Sequence, residues 1–109
     1  MEAIGIGMKI KKLSYYSVFT WDDEMKNAIN IEFPDLPGCV SCAYSLSQAR
    51  KFAKEALALY LDGMKISDVP QPKKITDDSA HRRNALNVKV TVMMREKNGI
   101  LLGFGIKRL

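Results

Sequence analysis

Ile29-Asn30-Ile31-Glu32-Phe33-Pro34-Asp35-Leu36-Pro37-Gly38-Cys39-Val40-Ser41-Cys42-Ala43-Tyr44-Ser45-Leu46-Ser47-Gln48 is the stretch on which the fold turns. From Asn27 to Phe33 the chain alternates, with Ile29, Ile31 and Phe33 on one side and Ala28, Asn30 and Glu32 on the other, the period of a half-buried strand. Two prolines and a glycine then forbid a helix and interrupt a ladder, because each proline fixes its own φ and holds the residue before it extended. The resulting loop is stiff, with Leu36 as its apolar anchor. Cys39 to Ala43 makes a third short strand. Ser45 followed by Gln48 is a capping-box pattern that starts a helix. Leu46, Ala49, Ala53, Ala56, Leu57, Tyr60 and Leu61 share one helical face, and Gly63 is placed to end it.

Outward from this stretch the reading is simpler. Tyr15 to Thr20 is rich in aromatic and β-branched residues and reads as a strand. Trp21-Asp22-Asp23-Glu24 breaks it, which predicts an antiparallel hairpin with the next strand. Residues 1–12 are expected to be a partly disordered N-terminal extension. Periodicity vanishes between Lys65 and Leu86, and Val69-Pro70-Gln71-Pro72 marks an extended, mobile linker. Asn87 to Met94 alternates Val88, Val90, Val92 and Met94 against Lys89, Thr91 and Met93, a fourth strand. Asn98-Gly99 is a hairpin-turn signal, so Ile100 to Ile106 is a candidate fifth strand. The expected architecture is α+β: three antiparallel strands, a helix packed on them, a fourth strand, and an optional extra C-terminal strand. The domain is expected over 13–94, with the 65–86 linker inside it. Residues 95–109 form a tail or short strand, with no separate DNA-binding domain.

Composition narrows the class. The 109 residues carry 17 Lys and Arg against 12 Asp and Glu, a net charge of +5, with 47% hydrophobic residues. A chain of this size buries roughly 65% of its unfolded surface, enough for one modest core. No apolar run approaches a membrane span. Met1 to Met8 is not read as a secretory signal, and two cysteines make no disulfide scaffold, so a cytoplasmic location is expected. The charge is uneven. Residues 1–60 hold seven basic and seven acidic side chains, whereas residues 61–109 hold ten and five.

Few residues suggest chemistry. Cys39-Val40-Ser41-Cys42 has the spacing of a metal or redox pair, but in a strand positions three apart point to opposite faces. The one histidine, His81, lies about forty residues away beside Arg82-Arg83. Two half-buried structural cysteines are the expectation, with no metal and no cofactor. Asp22, Asp23, Glu24 and Asp35 collect acid at strand ends and suit a cationic partner. Lys73, Lys74, Arg82 and Arg83 are the residues that would contact phosphates.

The run Tyr16-Ser17-Val18-Phe19, the block Ile29 to Ser41 with its Phe33-Pro34-Asp35-Leu36-Pro37-Gly38-Cys39 core, then Ser45-Leu46-Ser47-Gln48-Ala49 and Glu55 to Leu61 together resemble the HicB-like antitoxin family. The likeness spans residues 12–64. It implies a truncated ribonuclease-H-like fold in which the fourth strand lies beside the first. It also implies the role of antitoxin in a type II toxin–antitoxin system, binding and masking a HicA toxin, a small basic ribonuclease that cleaves mRNA. Many members add a C-terminal DNA-binding domain, and the 15 residues after Met94 are too few for a helix-turn-helix. A ribonuclease-H-like shape raises the question of nuclease chemistry, which needs several carboxylates around two metal ions. Tyr15 to Thr20 and Asn87 to Met94 carry none, and Glu55 stands alone on the helix, so no catalysis is expected.

Three functions follow as expectations. In the first, an antitoxin contacts its HicA-type toxin through Trp21, Asp22, Asp23, Glu24, Asp35 and Leu36. In the second, a stand-alone module binds RNA or DNA through the basic second half. In the third, an orphan domain self-associates through open strand edges into a homodimer or higher homo-oligomer.

Overall fold

A computed structural model describes residues 8–73 and 84–105. Its strands are β1 (Met8–Trp21), β2 (Ile29–Glu32), β3 (Val40–Ala43), β4 (Ala85–Lys97) and β5 (Ile100–Gly103). A helix, α1 (Leu46–Leu61), follows β3, and a single 3-10 turn occupies Ile66–Asp68. The five strands form one antiparallel sheet in the order β3-β2-β1-β4-β5. The expected α+β class is therefore observed, with β4 beside β1 and the fifth strand present.

β1 and β4 are the spine of the sheet, paired without a break from Met8↔Lys97 to Thr20↔Ala85. Partners directly opposite each other in a ladder share a face. Tyr15 and Ser17 thus look the same way as Val90 and Val88, towards the core, whereas Leu86, opposite the buried Phe19, is 37% exposed near the start of β4. Phe19, Ile29, Ile31, Phe33, Leu36, Leu57, Leu61, Met94 and Leu101 are all essentially inaccessible to water. From the helix, Ala49, Ala53, Leu57 and Leu61 meet them. The alanines let the helix approach the sheet closely.

The helix begins as read. Ser45 is the N-cap and its hydroxyl accepts the Gln48 N–H at 3.2 Å. The return bond is displaced by one residue, since Gln48 Oε1 accepts from the Tyr44 N–H at 2.9 Å. Gly63, at φ +85°, takes the left-handed conformation beyond the helix end and donates its N–H to Leu101 O at 2.7 Å. Leu46 departs from the expected buried face and is 38% exposed.

Several boundaries differ. Met8 to Lys12, expected in a disordered extension, form the first part of β1. Their lysines carry no β-signal, and the strand there is imposed by pairing with Met93–Lys97. Residues 1–7 lie outside the described residues. The stretch read as a structureless linker is anchored at its start: the Tyr15 hydroxyl donates to Pro70 O, and the Lys73 N–H to Asp35 Oδ2 at 2.8 Å. Its last two residues, Ala85 and Leu86, already belong to β4. β4 and β5 are joined by Asn98 and Gly99, at φ +54° and +78°, the two left-handed residues a tight hairpin of this hand requires. β5 stops at Gly103, short of the expected Ile106.

The two outer edges of the sheet end differently. Along β5, Gly63 N–H, Met64 O and Ile66 N–H bond to Leu101 O, Leu101 N–H and Gly99 O, so this edge is covered. β3, at the other side, is bonded by β2 alone.

Candidate functional site

The β1–β2 turn is built by Asp22. Its Oδ1 accepts the N–H groups of Glu24 and Met25, both at 2.8 Å, and its own N–H donates to Ala28 O at 2.9 Å. Asn27 closes the turn at φ +70°, a conformation asparagine tolerates. With both sides of the turn tied down, Asp23 and Glu24 project into water. The bonds from Met25 and Glu24 hold the Asp22 carboxyl below its usual value of 3.8. A carboxyl lowered in the folded state lends stability that is present above its unfolded pKa and fades as pH falls through the folded one. Asp22→Asn is therefore expected to be less stable than the parent at neutral pH. Urea unfolding at a series of pH values should show that gap closing below about pH 4. A gap that stays constant down to pH 3 would mean the carboxylate charge has no part in the turn.

Beside this turn, at the same end of the sheet, lies the β3–α1 connection. Ile29↔Ala43 is the last β2–β3 pair, and Tyr44 follows it. The Tyr44 hydroxyl contacts Met25 Sδ at 3.8 Å, which joins the two connections into one surface. Met25 is 54% exposed, Tyr44 59% and Leu46 38%. An exposed tyrosine and methionine rimmed by Asp23 and Glu24 have the composition of a protein-binding patch: an apolar centre, an aromatic anchor and a charged border. Trp21 stands behind them, half-buried against the core, and its backbone is clamped by Asn84 through bonds of 2.8 and 3.1 Å.

The six residues expected to meet a partner are thus not one site. Trp21, Asp22, Asp23 and Glu24 are together. Asp35 and Leu36 lie beyond the far end of β2, on the order of 13 Å along the strand. Leu36 is fully buried and offers a partner no surface, which corrects its assignment as a contact. It anchors the proline loop, bonding backbone to backbone with Phe33 and Cys39. Asp35 holds Lys73 and, as a secondary influence behind burial, keeps the Tyr15 hydroxyl above its usual pKa. Met25, Tyr44 and Leu46 were not foreseen. Nothing in the sequence distinguishes them from core residues, since exposure of an apolar side chain is decided by the path of the chain around it.

Of the expected phosphate contacts, Lys73 is exposed at the end of the anchored strap. Lys74, Arg82 and Arg83, with His81, lie outside the described residues. Cys39 is buried, its thiol donating to Ala56 O at 3.6 Å, and burial pushes it up to about 11, so it stays a neutral thiol at pH 7. Cys42 is exposed on the opposite face. The longer β4 brings one acid that the shorter reading of that strand omitted, Glu96, which pairs with Lys11 at 3.6 Å.

The fold is a small α+β domain, one helix on a five-stranded antiparallel sheet, with an acidic and aromatic surface at one end of that sheet. The model of the HicB-like antitoxins of bacterial toxin–antitoxin systems matches residues 16–97, and the chain belongs to that family. It is also 35% identical over 51 residues to an uncharacterized 14.9 kDa protein from the rep-hol intergenic region of Haemophilus phage HP1 (strain HP1c1). That match takes in 47% of this chain and 38% of the phage protein.

Proposed function

We propose that this chain is the antitoxin of a type II pair and that it binds and masks a HicA-type, mRNA-cleaving toxin through the Asp23–Glu24–Met25–Tyr44 surface. One observation carries the reading: in a chain of net charge +5, acid and exposed apolar side chains meet at one rigid end of the sheet. A small basic ribonuclease is complementary to that end. The truncated ribonuclease-H-like description of the fold belongs to the same reading, supported by the β-β-β-α-β order and by β4 lying beside β1. So does a cytoplasmic location, where mRNA is cleaved. No described helix is long and apolar enough to cross a membrane.

Co-expression tests the proposal. Cells carrying an inducible HicA-type toxin should grow when this protein is made with it, and the two should copurify. Growth arrest despite a soluble, folded chain, with no complex recovered, would overturn it.

A second reading has one observation of its own. Lys73 and Lys89 flank a shallow cavity of about 230 Å³ with Ser14, Tyr16 and Pro72. Two cations beside hydroxyl donors suit a phosphate backbone, as in a module that binds RNA or DNA. Binding that weakens steeply with salt and with Lys73→Ala and Lys89→Ala would favour it over the antitoxin.

A further inference from the structure

β4 is much longer than β5, which pairs only with residues 94–97. On the side away from β1, residues 85–93 therefore have no strand beside them among the described residues. The register assigns their free groups. Trp21 N–H bonds to Asn84 O, and bonded and non-bonded partners alternate along an antiparallel pair. Leu86, Val88, Val90 and Val92 thus turn their backbone groups to β1. Ala85, Asn87, Lys89 and Thr91 turn both their N–H and C=O groups outward. No described backbone group bonds to them there.

The helix lines this open stretch with cations. Arg50 and Lys54, four residues apart and so on one face of α1, join Val88, Lys89, Val90 and Thr91 around a cavity of about 250 Å³. No acid lines it. Arg50, Lys54 and Lys89 are all exposed, and none is in an ion pair with a described carboxylate. Leu86 and Met93, 37% and 50% exposed, offer apolar contact at the two ends of the stretch.

We propose that this edge takes up an extended acidic segment of another protein as a sixth strand beside β4. The backbone selects a peptide. Another strand offers N–H and C=O groups at the spacing of Ala85, Asn87, Lys89 and Thr91, so donors and acceptors are satisfied together. The phosphates of a nucleic acid only accept, and would cover the outward carbonyls without bonding them. The side chains select its charge. Every second residue of an added strand faces α1, where a carboxylate meets Arg50 and Lys54. A second copy of this chain joined through the same edge would set Arg50, Lys54 and Lys89 against their own counterparts. A small basic ribonuclease would meet the same repulsion. The edge is therefore separate from the acidic end proposed to bind a toxin, and the inference does not rest on the antitoxin reading.

The probe is a capped peptide of about eight residues alternating glutamate and valine, long enough for the open stretch. It is added to the isotope-labelled full chain at low salt, and amide exchange is followed by nuclear magnetic resonance. Exchange should slow at Ala85, Asn87, Lys89 and Thr91 and stay unchanged at Val88 and Val90, which are already bonded to β1. Arg50→Glu with Lys54→Glu should weaken binding about tenfold and leave the circular dichroism spectrum unaltered, because both side chains are exposed. The same peptide with lysine in place of glutamate should not bind. A glutamate peptide that protects none of the four amides would overturn the proposal, as would one that binds the double variant equally well. An oligouridylate that bound more tightly than the peptide, with the four amides still exchanging, would assign the cations to nucleic acid instead.

Discussion

Phe19→Ala is expected to remove about 3–5 kcal/mol of unfolding free energy, a large fraction of the about 5–15 kcal/mol that a domain of this size possesses. Phe19 is fully buried in the middle of β1, opposite Ile31 on one side and Leu86 on the other. β1 is bonded to both β2 and β4 there, so the backbone cannot collapse into the space a deleted ring leaves. The loss is the transfer of the ring plus a persistent cavity. Urea denaturation measures it, with Val40→Ala as the comparison: Val40 is mostly in water and its truncation should fall within about 0.5 kcal/mol of the parent. A Phe19→Ala protein that lost less than about 1 kcal/mol would mean that the centre of the core lies elsewhere.

Tyr44→Ala is expected to weaken binding to a HicA-type toxin by about 2 kcal/mol, some 30-fold, chiefly through faster dissociation. Asp23→Lys should act on the other rate. An exposed rim charge steers approach, so its reversal should slow association, and the effect should shrink as salt is raised. Surface plasmon resonance at two ionic strengths separates the two contributions. Both side chains are exposed, so neither variant should change the fold. If Tyr44→Ala bound like the parent while Phe52→Ala or Leu59→Ala did not, the toxin would instead occupy the open groove that Phe52, Ala56 and Leu59 of α1 form with Val40 and Ser41 of β3.

How much of this was legible in the sequence differs from element to element. The segments around Phe33–Cys39 were legible because local physics decides them. Proline removes a donor and fixes φ, Ser45 caps, Asn98-Gly99 turns, and strict alternation has no helical interpretation. The first seven residues of β1 were not. Lys9, Lys11 and Lys12 have weak strand preference, which the lone Ile10 does not offset, and only the ladder with Met93–Lys97, more than eighty residues on in the chain, makes this stretch a strand. The anchored start of the Lys65–Leu86 stretch was hidden for the same reason, since its bonds go to Tyr15 and Asp35.

The site divides along the same line. That Asp22, Asp23 and Glu24 lie in a turn follows from their own chemistry and from the strands on either side. That Asp35 is separate from them, that Leu36 is wholly inside, and that Met25 and Tyr44 meet in water was decided by the sheet. Alternation and caps are set within a few residues, so the chain's sequence alone determined its elements, their order and the family they resemble. Which edge is covered, which apolar side chains stay exposed, and which acids become neighbours depend on contacts between residues far apart in the chain. Those contacts form only when the apolar faces of five strands and a helix are buried together, and the tertiary structure alone settled them.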